Sequence, residues 1–187
     1  MRAFVAVEVP ASSGKALRPA APEHLTLLFL GEVPTERVAP IVNALTPVGA
    51  RVAPFDLTLE GVGAFPTPER PRVVWVGATE GSAELTRLAL GVRTALAPEG
   101  EPRREEVFVP HLTLFRVRSA ADRRRATDLL SGTGPPPSPR RVRVREFVLK
   151  ESVLSARGAT HRTVATFPLS GSPSEAAREE ARPAAEP

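Results

Sequence analysis

PHLTLFRV, residues 110–117, contains the tetrapeptide His111-Leu112-Thr113-Leu114, and the same four residues stand 87 positions earlier as His24-Leu25-Thr26-Leu27. The likeness continues outward. Residues 23–29 read EHLTLLF against PHLTLFR at 110–116, and a proline closely precedes each copy (Pro22 and Pro110). The copies use two of the chain's three histidines. Background composition puts that coincidence on the order of one in a million, so the chain reads as two related halves.

Both copies lie in stretches with a β pattern. In a strand, residues i and i+2 share a face, so His and Thr of each copy stand side by side. Leu25, Leu27, Leu112 and Leu114 then point the other way, toward a core. If the halves pack about a pseudo-twofold axis, the two His-Thr faces line one cleft from opposite sides. Two imidazoles and two hydroxyls suit in-line displacement at phosphorus. A neutral histidine takes a proton from the nucleophile, a protonated one delivers a proton to the leaving oxygen, and the threonines donate to the phosphate. A lone His before Leu-Thr-Leu would be ordinary strand sequence; the duplication reverses that balance.

Other chemistries fit poorly. The chain has no cysteine, which removes disulfides, thiolate metal sites and Cys nucleophiles. Beyond the histidine pair only Asp and Glu remain as metal ligands, and none has ligand-like spacing. There is no Gly-x-Ser-x-Gly elbow and no Gly-rich loop ending in Lys-Ser/Thr, so neither a serine nucleophile nor ATP binding is indicated. No apolar run approaches the roughly eighteen residues of a membrane span, and the apolar start at residues 3–9 ends at Pro10 as a strand does. A cytoplasmic protein with no membrane partner, no metal and no cofactor is therefore expected, and as a monomer.

Around the repeat, strands are predicted at residues 2–9, 24–30, 55–60, 72–77, 107–117, 142–149 and 162–169. Helices are predicted at 38–45, with Pro40 near its start, at 82–96 with Ser82 as N-cap, and at 120–130. Gly61, Gly63, Pro66 and Pro68 mark the stretch after residue 60 as turn-rich, and residues 132–141 (GTGPPPSPRR) as a loop. Strands and helices come in clusters rather than strict alternation, which predicts an α+β fold of mostly antiparallel sheet. Residues 1–170 form the expected domain of two lobes. Residues 171–187, rich in Pro, Ala and Glu, read as a disordered tail. That tail carries four Glu and two Arg, so the whole-chain charge of +4 (25 basic, 21 acidic) becomes +6 on residues 1–170.

At these residues the sequence resembles the 2H phosphoesterase superfamily, named for paired His-x-Thr-x motifs. The closer likeness is to its bacterial and archaeal branch of RNA 2′,3′-cyclic phosphodiesterases, also called 2′-5′ RNA ligases. It takes in residues 2–7, 24–31, 61–65, 71–75, 110–117, 147–154 and 167–169. The resemblance implies a bilobal fold with a central cleft and metal-independent hydrolysis of a ribose 2′,3′-cyclic phosphate to a 2′-phosphomonoester. It implies that His24 protonates the departing 3′ oxygen, that His111 activates water, and that Thr26 and Thr113 bind the phosphate. The family's arginine five residues after the second histidine falls on Arg116, where the first copy has Phe29. In an ideal strand Arg116 would face away from His111, so it can join the site only if the strand ends or bends. Two departures stand out. Residues 10–23 are too short for the helix the family usually has there. Residues 158–161 read Gly-Ala-Thr-His where the family tends to have a Gly-Pro pair and a tyrosine. His161 is therefore expected to be an incidental strand-start residue.

The implied partner is RNA with a 2′,3′-cyclic end, or a small cyclic nucleotide; 2′-5′-linked oligonucleotides are a further substrate class, and reversible 2′-5′ ligation is the same path run backwards. A different class of function, a non-catalytic RNA-binding module, would use Arg103-Arg104, Arg123 to Arg125 and the run from Arg140 to Arg145 on phosphates. The bland reading of those runs is a solvated helix surface and a solvated sheet face.

Overall fold

Each copy of the repeat forms an edge strand of its own antiparallel sheet. The computed structural model describes residues 1–10, 23–97, 108–155 and 158–172. The first sheet contains β1 (Arg2–Glu8), β2 (His24–Glu32), β7 (Glu146–Ser155) and β8 (Gly158–Pro168), in the order β2-β1-β7-β8. The second contains β3 (Phe55–Phe65), β4 (Val73–Ala78), β5 (His111–Arg116) and β6 (Arg140–Val144), in the order β5-β4-β3-β6. Among the described residues each motif strand therefore pairs only with the strand before it in sequence, β2 with β1 and β5 with β4. The internal likeness of sequence is a likeness of topology. The motif strands β2 and β5 also lie against one another, which brings the two sheets together at the repeat.

Three helices complete the α+β fold: α1 (Val38–Arg51), α2 (Ser82–Leu96) and α3 (Ala120–Leu130). Ile41, Leu45 and Val48 on α1, and Leu85, Leu88, Val92 and Leu96 on α2, recur every three or four residues and are buried. They join Val5, Val7, Leu25, Leu27, Leu57, Leu59, Leu112 and Leu114 in one core that spans both sheets. Each such leucine withdrawn from water contributes roughly 2 kcal/mol. The predicted division of labour in the repeat holds: both Leu pairs enter the core, while His24, Thr26, His111 and Thr113 remain on the opposite faces, half-buried.

A bulge in each motif strand decides what else shares those faces. Along β2, Thr26 pairs with Ala6 and Phe29 with Phe4, so one extra residue is accommodated between them. Along β5, Thr113 pairs with Trp75, Phe115 with Val74 and Arg116 with Val73. Alternation is shifted by one at the same place in both strands. Phe29 and Arg116, five residues beyond their histidines, therefore sit on the His-Thr faces. The bend that Arg116 required is this bulge.

Several boundaries differ from the sequence expectations. Residues 61–65, expected in a turn-rich stretch, belong to β3, which continues through a bulge at Gly61 (φ +77°) and turns only after the cis Phe65–Pro66 bond. Gly81, not Ser82, caps α2: its φ is +76°, and a β-carbon there would collide with the Asp56 carbonyl oxygen. Helix α1 runs past Leu45 and through Pro47, because Val48 and Gly49 pack beneath it, Gly49 against the Pro168 carbonyl. The predicted strand 142–149 breaks at Arg145, where the chain leaves one sheet and enters the other. β8 begins at Gly158, so His161 lies within the strand rather than at its start. The expectations for residues 10–23 fall largely, and that for the tail mostly, outside the described residues, as do Arg103, Arg104 and the start of the 107–117 strand.

The candidate active site

His111 opens β5. Its Nδ1–H donates to the Val109 carbonyl oxygen at 2.7 Å, since a carbonyl accepts only from a protonated nitrogen. The lone pair of the neutral ring is thereby left on Nε2. Burial holds the His111 pKa below the ordinary histidine value, and the carbonyl contact offsets this only in part. The ring packs against Phe65 (centroids 4.9 Å apart) and Trp75 (5.9 Å), which touch each other at 5.3 Å. Trp75 lies over Gly63, where a β-carbon would collide with the indole; this close approach is why residue 63 has no side chain. The face is completed by Thr113, opposite Trp75, and by exposed Arg116.

The other sheet repeats the arrangement with different residues. His24 opens β2 opposite Glu8 and packs on Phe4 at 5.0 Å and on His161 at 5.2 Å. Phe4 and His161 are 5.1 Å apart, so the three rings form a triangle, as do His111, Phe65 and Trp75. Phe29 lies 6.1 Å from Phe4 and is 66% exposed, the most exposed of the large apolar side chains described. On this same face, opposite Phe4, Lys150 of β7 is 3% exposed; its Nζ donates to the Glu8 carboxylate and to Thr163 Oγ1 (3.1 Å).

The five residues singled out from the sequence thus occupy the non-core faces of the two adjoining edge strands: His24 and Thr26 on β2, and His111, Thr113 and Arg116 on β5. Sequence reasoning gave no role to Phe4, Phe65 or Trp75 and set His161 aside as incidental, yet these four wall the two imidazoles. Phe4 was legible in principle, being two residues before Ala6 in an alternating strand. His161 was not, because only the pairing of β7 with β8 brings it to His24. The arginine run resolves as the bland reading had it. Arg141 pairs with Glu80 (2.8 Å) and Arg143 with Asp56 (2.9 Å), while Arg123, Arg124 and Arg125 are exposed on α3. Arg125 stacks on Phe115, 4.4 Å from its centroid. Among the described residues no three His, Asp or Glu side chains come together as a metal site, and no helix is long and apolar enough to cross a membrane.

A two-sheet α+β fold with a His-Thr motif on each inner edge is that of the LigT-like phosphoesterases, and solved structures agree. The protein TT0787 of Thermus thermophilus superposes with a TM-score of 0.71 at 28% identity, covering 91% of this chain and 99% of its own. Escherichia coli LigT complexed with 3′-AMP superposes at 0.70 with 30% identity, covering 90% and 97%. In sequence, a protein of Archaeoglobus fulgidus named RNA 2′,3′-cyclic phosphodiesterase is 38% identical over 89% of this chain and 99% of its own length. One of the same name from Aquifex aeolicus is 33% identical over 79% and 78%. Residues 2–154 match the profile of the 2′-5′ RNA ligase superfamily, and the chain belongs to that family of enzymes.

Proposed function

We propose that the protein hydrolyses the 2′,3′-cyclic phosphate at an RNA end, or on a nucleoside, to a 2′-phosphomonoester. Water attacks phosphorus in line with the 3′ oxygen. His111 takes the water proton on Nε2 as the new P–O bond forms. The bond from phosphorus to the 3′ oxygen breaks, and protonated His24 gives that oxygen its proton. Thr26 and Thr113 donate to the non-bridging oxygens, and Arg116 balances the charge that builds on them.

The observation that carries this reading is the state of His111. Its Nδ1–H is committed to a backbone carbonyl and its burial favours the neutral ring, which is the form a general base needs. The relatives named RNA 2′,3′-cyclic phosphodiesterase, and the likeness to LigT complexed with 3′-AMP, support the choice of substrate. 2′-5′ ligation is the same displacement with the 5′-hydroxyl of a second RNA in place of water: its oxygen bonds to the phosphorus of the 2′,3′-cyclic end, its proton passes to His111, the bond from phosphorus to the 3′ oxygen breaks, and His24 protonates that oxygen. The test is incubation of RNA ending in 2′,3′-cyclic phosphate with the protein in EDTA, followed by identification of the product. A 2′-phosphate is expected. A 3′-phosphate would reverse the regiochemistry, and an unreacted end would leave RNA binding without catalysis.

A further inference from the structure

The third histidine sits against the first. His161 and His24 meet edge to face, with centroids 5.2 Å apart and ring planes 79° apart, and Phe4 closes the triangle at 5.0 and 5.1 Å. His161 Nδ1 is buried and has no hydrogen-bond partner. A histidine retained for its own polar contacts would have that atom satisfied; this one is packed as a ring. In the other half the corresponding walls of His111 are Phe65 and Trp75, neither of which titrates near neutrality.

We infer that His161 is a positioning residue for His24: with Phe4 it fixes the plane of the His24 imidazole, and it acts as an uncharged ring, leaving the site's transferable proton to His24. This rests on the functional reading above. The charged groups that face His161 are Lys150 on β7, Glu8 on β1 and His24 itself on β2; Arg162, its neighbour on β8, pairs with Glu151. Lys150 is buried and held by Glu8 and Thr163 on the same sheet face as Phe4 and His161, so its ammonium is a fixed positive charge beside the ring. Burial first, and this ammonium second, hold the His161 pKa below the ordinary histidine value. Two adjoining imidazoles would otherwise divide one proton, and each molecule with it on His161 would lack its general acid.

Substitution separates the ring from the titrating group. His161→Phe should keep kcat within about threefold of the parent, because a ring of similar width still walls His24. His161→Ala should lower kcat at least about tenfold with KM changed less than about threefold, since ground-state contacts to substrate are intact while the acid is misaligned. Replacing the ion pair by the neutral Lys150→Met, Glu8→Gln pair should lower the kcat plateau, and adding His161→Phe should restore it. A His161→Ala variant with unchanged kcat would overturn the inference. So would a His161→Phe variant as poor as His161→Ala, which would make the imidazole nitrogens themselves necessary. Titration of the three histidines by NMR, in protein without substrate, reads the same arrangement independently of turnover. His161 should stay neutral until the pH falls below the ordinary histidine value of about 6.5, and the His24 ring signals should broaden in His161→Ala. A His161 that gains its proton above that value would overturn the inference even if some other substrate proved to be the right one, whereas a parent protein inert toward cyclic phosphates would fault only the functional reading.

Discussion

His111 is the residue whose surroundings say most about its chemistry. Burial favours its neutral ring, so protonation is displaced to lower pH. The rising limb of kcat/KM against pH should therefore have its midpoint below the ordinary histidine value of about 6.5, and activity should persist into mildly acidic buffer. A midpoint well above about 7 would mean that His111 is not the base. His24→Ala and His111→Ala should each cost about 10²- to 10⁴-fold in kcat, the usual contribution of a positioned acid or base, with the fold intact by circular dichroism. The double variant should be little worse than either single, because both groups serve one step. Arg116→Ala should lower kcat and kcat/KM together, because the charge it balances builds in the transition state, and Arg116→Lys should recover only part of the loss, since a planar guanidinium meets two phosphate oxygens at once.

The strands carry a feature that side-chain identity alone does not express. A one-residue bulge in β2 and in β5 turns Phe29 and Arg116 onto the His-Thr faces, and simple alternation would have turned both away. The His-x-Thr pairs needed no such correction, because i and i+2 share a face in any unbroken strand. Bulges depend on pairing with β1 and β4, so residues beyond the motif could not be oriented from spacing. Gly63 belongs to this scale as well. A methyl group there collides with the Trp75 ring, so Gly63→Ala should destabilise the protein by about 1–3 kcal/mol. Trp75 is the only tryptophan, and its fluorescence reports the displacement directly. An unshifted emission spectrum with unchanged Tm would show that the indole does not need residue 63 to be glycine.

Over the whole molecule, charge is distributed with respect to the site. Arg70, Arg72, Arg116 and Arg118 gather where β4 begins and β5 ends, joined by the bond from Val117 N–H to the Arg72 carbonyl at 2.9 Å. None of the four pairs with a carboxylate among the described residues, in contrast to Arg141 and Arg143. An RNA strand leaving the site past Arg116 would meet this cluster. The rate on an oligonucleotide with a cyclic end should fall with salt, with a log–log slope of about −0.7 for each phosphate engaged. Arg72→Gln with Arg118→Gln should flatten that slope while leaving hydrolysis of a mononucleoside 2′,3′-cyclic phosphate unchanged; equal losses on both substrates would mean the cluster serves the reacting phosphate instead. The two sheets are also tied directly, by Arg140 of β6 on Glu23 at the entry to β2 (2.5 Å). Sequence by itself determined the duplication, the α+β class and which four leucines turn inward, because strand periodicity and a repeated motif are local properties. Tertiary structure alone decided that β2 and β5 adjoin, that bulges bring Arg116 and Phe29 to the His-Thr faces, and that His161 completes a ring triangle with His24 and Phe4. Those contacts join residues up to 137 positions apart, as between His24 and His161, and depend on pairing partners and backbone register that no local pattern encodes.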